Sequence, residues 1–196
     1  KDIRVRHRHI AAMASSSEVI NHINEGILRH LEIDRLFHTS SFFKQNTKKI
    51  TTILKQHSFE HIDKYFFFLS HILIELMLDR LLIKQHPKLT EQFYLSLDKI
   101  EEKYLEMHLK SINFVEHAKG FNLFFNQFRR VQYLKGYIDN EKLIFALNRI
   151  WGRIGQQSFS RQDKKELNGV ISEIESEIES ILTNEVPILF KELIKQ

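Results

Sequence analysis

Residues 65–83 read YFFFLSHILIELMLDRLLI, the longest apolar stretch of the chain, and the fold class turns on it. Ser70, His71, Glu75, Asp79 and Arg80 interrupt it, which is too polar a set for an ordinary membrane span. It reads as a buried core helix, running from about Phe59 to Gln85 and stopped near Pro87, because proline disfavours helical geometry in the residue before it.

The rest of the chain follows suit. Only two prolines and six glycines break its 196 residues, which favours long helices. Ser15, Ser16 and Ser17 form a cap cluster before a helix to about Phe37, with Ile20, Ile23, Ile27 and Leu31 on one face. An amphipathic helix is expected from Ser41 to about His57, and a long one from about Leu89 to Glu116, ending near Gly120. Two shorter helices follow, Phe121 to Tyr137 and one capped by Asp139 and Asn140 that ends at Gly152 and Gly155. The last begins near Ser160 and is kinked or divided by Pro187. No strand-like alternation and no fixed-period repeat is present. The expectation is an all-α, single-domain bundle of about seven helices over residues 1–196.

Apolar residues make up 42% and charged residues 28% of the chain, ordinary globular values. The absence of cysteine removes disulfides, thiolate metal sites and cysteine nucleophiles, and fits a reducing compartment, with the cytoplasm as the expected location. The chain opens on Lys1 with no signal-peptide pattern, so native residues before it are expected. The net charge is +4. Basic residues cluster at Arg4, Arg6, His7, Arg8 and His9 and recur at Arg129, Arg130, Lys135, Arg149 and Arg153, which suits an acidic partner. No glycine-rich phosphate loop, His-Glu-x-x-His or Gly-x-Ser-x-Gly pattern occurs.

Chemistry is expected where polar groups fall on apolar helix faces. At 100° per residue, Asp34 lies between Ile23 and Ile27, with His30 one turn earlier at the edge, so both are expected to point inward. His71, Glu75 and Asp79 repeat the pattern at i, i+4 and i+8 on a helix otherwise apolar nearly all round. Buried carboxylates need compensation. Two forms are open: structural ion pairs with Arg129, Arg130, Arg149 or Arg153, or a divalent ion, since imidazole nitrogen and carboxylate oxygen together suit manganese, iron, zinc or magnesium. The run Tyr65 to Phe68 is expected to be core packing, and the glutamates at 173, 175, 177 and 179 a solvated face.

Three segments resemble the acyl carrier protein phosphodiesterase family, helical metal-dependent hydrolases related to the HD-domain phosphohydrolases. Gly26 to Phe37 (GILRHLEIDRLF) is similar to a Gly-Ile-x-x-His-Arg-x-Ile-Asp signature, with His30 and Asp34 at its polar pair. Glu75 to Leu82 (ELMLDRLL) is similar to Asp-x-x-x-Asp-His-Phe-Leu. Tyr133 to Arg153 resembles a Tyr…Ile…Leu…Arg helix pair, and Val186 to Phe190 a closing Phe-x-Pro stretch. Leu31, Arg80 and His38-Thr39 depart from the pattern, the last standing where Thr-Asp is usual.

The resemblance implies an HD-domain-like fold, removal of 4′-phosphopantetheine from holo acyl carrier protein, and a divalent metal, commonly manganese, that activates water. Carried onto this chain, it implies metal ligands among His30, Asp34, His71, Glu75 and Asp79, with Asp2 as a further candidate. Asp34 and Asp79 then serve catalysis as well, with electrostatic help from Arg80 and Arg153. An acyl carrier protein or another acidic protein is the expected partner. The alternatives are a catalytically degenerate module that only recognises such a partner, and a regulatory or nucleic-acid-binding protein using the basic N-terminus.

Overall fold

A computed structural model describes residues 17–184, with side chains as far as residue 177 apart from residue 63. Among these residues every regular element is helical: α1 (Glu18–Thr39), α2 (Ser41–Leu54), α3 (Phe66–Gln85), α4 (Pro87–Asp98), α5 (Glu102–Ser111), α6 (Ala118–Val131), α7 (Asn140–Arg153) and α8 (Arg161–Asn184). Short 3-10 turns occupy Asp63–Tyr65, Val115–His117 and Tyr133–Gly136. The all-α expectation is met, and none of these helices is long and apolar enough to cross a membrane. Asp2, the basic cluster from Arg4 to His9, Ser15, Ser16 and the stretch around Pro187 lie outside the described residues.

Among the described residues eight helices stand where about seven were expected, because the fourth divides. Pro87 does end α3, but it also opens α4, where a missing N–H leaves no hydrogen bond unmade. α4 then stops at Asp98 without a glycine or proline. At that end Arg129 of α6 donates to the carbonyl oxygens of Ile100 at 3.2 Å and Leu97 at 3.5 Å, supplying donors to carbonyls that a finished helix leaves unpaired. Gly120, expected at a break, lies inside α6, which ends instead at Gln132 in the left-handed region, φ 51°.

Contacts group the chain into two compact units, Lys1–Leu36 with Glu91–Gln132 and Phe37–Thr90 with Tyr133–Gln196. In the first, Ile20, Tyr94, Leu109, Ile112 and Phe125 are buried. Asn122 and Asn126 of α6 donate to Glu106 and Glu102 of α5 at 2.8 and 2.7 Å. His108, buried at 5% exposure, meets Asn24 Oδ1 at 2.9 Å. Burial holds its pKa below the ordinary histidine value, so it serves as a neutral partner.

The second unit is built around α3. Leu69, Leu73, Ile74 and Met77 are fully enclosed by Ile50 and Leu54 of α2, Leu143 and Leu147 of α7, and Leu167, Ile171 and Ile174 of α8. Each such side chain contributes about 1.5–3 kcal/mol by leaving water. Tyr65, Phe66 and Phe68 pack on this core as expected, but Phe67 is 73% exposed.

Polar groups pin the surrounding helices. Arg80, 5% exposed, grips Glu175 through Nε and Nη2 at 3.1 and 2.9 Å, and its Nη1 donates to Asn140 at 2.7 Å and the Tyr137 carbonyl at 3.3 Å. Burial pushes the Glu175 pKa up, but hydrogen bonds from Lys84 and Arg80 outweigh it and hold the carboxylate below its ordinary range. His57 bridges Glu166 and Glu173 of α8 at 3.0 and 3.2 Å. Its ring lies over Gly169, where an added Cβ would come within 3.3 Å of the imidazole. Glu173 and Glu175 are therefore structural partners, which corrects the expectation of a wholly solvated acidic face.

The start of α8 is a reciprocal cap. Asp163 takes the Ser160 N–H at 3.2 Å while its own N–H reaches Ser160 Oγ at 3.0 Å, and it also accepts the Glu60 N–H at 2.8 Å. Asp163 is 0% exposed. Asp163→Ala is expected to destabilise the protein by about 2–4 kcal/mol, because it strands two backbone donors and a helix cap. Urea unfolding followed by circular dichroism measures this, and a loss under 0.5 kcal/mol would contradict it.

Candidate metal centre

Three side chains of the second unit converge at one point. His38 stands in the last turn of α1, just before a sharp corner. There Ser40 bonds back to the Phe37 carbonyl through both N–H and Oγ, at 3.1 and 2.7 Å, and caps α2 by accepting the Phe43 N–H at 3.1 Å. The corner turns the chain so that α2 packs on α3 and His38 meets His71 and Glu75, neighbours one turn apart on α3. His38 Nε2 lies 3.0 Å from His71 Nε2 and 2.9 Å from Glu75 Oε1, and the third side of the triangle is 3.1 Å.

The imidazoles stack with centroids 4.7 Å apart and planes 27° apart. Buried Phe43 sets its ring edgewise against both, at 4.7 and 4.9 Å, and Phe37 flanks His38 at 5.3 Å. Apolar walls thus fix two ring planes. The side chains keep exposures of 25% for His38, 32% for His71 and 37% for Glu75, so the triangle is partly exposed to solvent.

Hydrogen bonding alone cannot make all three sides of this triangle attractive at once. If both Nε2 atoms carry protons, both donate to Glu75 and two donors face each other at 3.0 Å. If only one does, it donates to the other Nε2 or to Glu75, and the remaining side brings an imidazole lone pair against a carboxylate oxygen. A cation bound by all three atoms removes the conflict. Tetrahedral ligands on an ion with bonds of about 2.1 Å stand about 3.4 Å apart, and ligands at right angles about 3.0 Å. The observed sides of 2.9–3.1 Å fit that edge. Two imidazoles and one carboxylate are a donor set for iron, zinc or manganese.

Two of the expected ligands, His71 and Glu75, are in this centre. Asp79 is one turn further along α3, half-buried, and has no hydrogen-bond or ion-pair partner among the described residues. Burial, then the neighbouring charge of Glu75, raises its pKa to about 6. His30 and Asp34 do not point inward: both are exposed, and neither belongs to the centre. The helical wheel places them beside Ile23 and Ile27, but α1 buries only Ile20 and Asn24, so among the described residues no element covers that face further along.

The proposed arginine roles change too. Arg80 spends its donors on Glu175, Asn140 and Tyr137, and Arg153 is exposed at the end of α7. The arginine-pair alternative for the polar stripe is not what forms, since Glu75 meets the two histidines. His38 was overlooked as a ligand. The sequence marked it only as a departure from the family pattern, and its one local signal is a histidine in the last turn of a helix before a Ser-Ser corner.

Asp79 generates a stability test. Its folded value of about 6 lies above the ordinary 3.8, so stability is lost as pH rises from about 4 through about 6 and the cost is constant above that. Asp79→Asn removes the cost and is expected to stabilise the metal-free protein by about 1–3 kcal/mol at pH 7.5, with the gain vanishing near pH 3.5. Denaturant unfolding at both pH values checks it, and a destabilised variant at pH 7.5 would contradict it.

No family model, curated protein or solved structure matches the chain, so the centre is described by its own atoms.

Proposed function

We propose that this chain is a divalent-metal-dependent hydrolase of a phosphate diester. The substrate indicated by the family resemblance is 4′-phosphopantetheine on holo acyl carrier protein, the ion is manganese, and the setting is the cytoplasm. The observation that carries the reading is the triangle of His38 Nε2, His71 Nε2 and Glu75 Oε1, with sides near 3 Å and partial exposure to solvent.

His38 and His71 hold the ion through Nε2 and Glu75 through Oε1. When bound, a divalent ion acidifies water and neutralises charge on the phosphate oxygens. Phe43 and Phe37 keep the imidazole planes in place, so little reorganisation is needed on binding. Asp79, with a pKa near 6, is matched to accepting a proton at its carboxylate near neutral pH. The N-terminus of α2 begins at Ser41, three residues after His38, and its positive end favours an anion nearby. α2 carries Lys44, Lys48 and Lys49, all exposed, and no acidic residue, which suits an acidic carrier protein.

A second reading is a module that binds the carrier without cleaving it. It is favoured by the engagement of Arg80 in a structural pair and by the exposure of His30 and Asp34.

Incubation of the chain with manganese and holo acyl carrier protein, followed by mass spectrometry of the carrier, separates the two. Loss of the phosphopantetheine group is expected, with the rate reduced about 100-fold or more by His38→Ala and by Glu75→Gln. Unchanged carrier mass with measurable carrier binding supports the second reading. Unchanged mass without binding contradicts both.

A further inference from the structure

His57 stands in the turn that follows α2, and both of its ring nitrogens meet carboxylates of α8. Nδ1 lies 3.0 Å from Glu166 Oε2 and Nε2 lies 3.2 Å from Glu173 Oε2. A neutral imidazole carries a single N–H and can donate to only one of them, whereas the imidazolium donates to both. The two contacts together are therefore those of the charged ring. α8 is shaped to receive it. Glu166 and Glu173 are two helical turns apart, and Gly169 between them lets the ring lie against the helix, where an added Cβ would stand 3.3 Å from Cε1 and 3.8 Å from Nδ1. Glycine inside a helix is less favourable than alanine, so this position gives up helix propensity and admits the ring. Phe59 flanks it with centroids 6.3 Å apart.

The two carboxylates are held unequally. Glu166, 20% exposed, takes a second hydrogen bond from Gln162 Nε2 at 2.8 Å, whereas Glu173 is 40% exposed and makes the longer contact. Other charged groups of these segments face elsewhere: Lys55, Glu60, His61, Arg161, Lys164 and Lys165 are exposed, and the buried Asp163 carboxylate accepts the Ser160 and Glu60 N–H groups. Burial pulls the His57 pKa down, but the hydrogen bonds to Glu173 and Glu166 and their charges outweigh it and hold it above the ordinary histidine value.

We propose that His57 is a proton-gated clamp: as the imidazolium it ties the end of α2 to α8 through Glu166 and Glu173, and on losing a proton it releases Glu173 and loosens residues 55–60. The device acts on the end of α2 opposite the Ser40 corner and does not depend on metal binding. Its folded pKa lies above the unfolded one, so its contribution is complete below the unfolded value of 6.5 and is lost as pH rises through the folded value.

The test follows the His57 ring of the full chain by proton–carbon NMR from about pH 5 to about pH 9, a range that spans histidine titration, with the His57→Gln spectrum identifying its signal. The midpoint is expected above 6.5, and Glu173→Gln is expected to lower it. Amide exchange is read in parallel. Protection of residues 55–60 in the wild type is expected to exceed that in His57→Gln severalfold below pH 6.5, with the ratio falling toward one above the midpoint. Glu173→Gln serves both readouts if His57→Gln does not fold. A midpoint at or below 6.5, a midpoint unmoved by Glu173→Gln, or a protection ratio that does not change with pH overturns the proposal.

Discussion

The constraint on which the second unit depends is the covering of α3. A helix apolar nearly all round has to be enclosed on most of its circumference, and α2, α7 and α8 enclose it through Leu69, Leu73, Ile74 and Met77. Each of these contributes more than any polar contact nearby, since a net hydrogen bond adds about 1 kcal/mol. The polar residues of α3 must then be accommodated within a packing they did not determine. Arg80 falls on a covered side and finds Glu175. His71 and Glu75 fall at the edge of the covered zone, where the corner at Ser40 delivers His38 and Phe43 provides a wall.

The outcome is two kinds of polar burial on one helix. The Arg80–Glu175 pair is closed: the guanidinium donates to Glu175, Asn140 and the Tyr137 carbonyl, and a second cation, Lys84, shares the carboxylate. Such pairs fix helix register more than they add stability. The group of His38, His71 and Glu75 is partly exposed, with three potential ligand atoms 2.9–3.1 Å from one another, beside an aspartate whose pKa is raised. Clusters of titratable groups with perturbed neighbours are suited to a chemical role.

Much of this was legible in the sequence. The scarcity of proline and glycine and the polar interruptions of residues 65–83 led to the all-α class, and the Asp139 cap holds, accepting the Lys142 N–H at 2.9 Å. His71 and Glu75 were found because both lie on one helix, where spacing reports neighbourhood directly. His38, the third member, comes from another helix, and no periodicity connects residues brought together by a corner. The same limit hid the division of the fourth helix, whose end is met by Arg129 from α6, and the partner of Arg80, which is 95 positions away. Asp34 illustrates a different limit: a helical wheel gives the direction of a side chain but not whether another element covers it.

The central claim is that His38, His71 and Glu75 together bind one divalent ion, and the most direct measurement is a crystal structure of the chain grown with manganese, phased for anomalous scattering. The account predicts one anomalous peak at about 2.0–2.3 Å from His38 Nε2, His71 Nε2 and Glu75 Oε1. A manganese peak elsewhere, or none with the three side chains still in mutual contact, would contradict it.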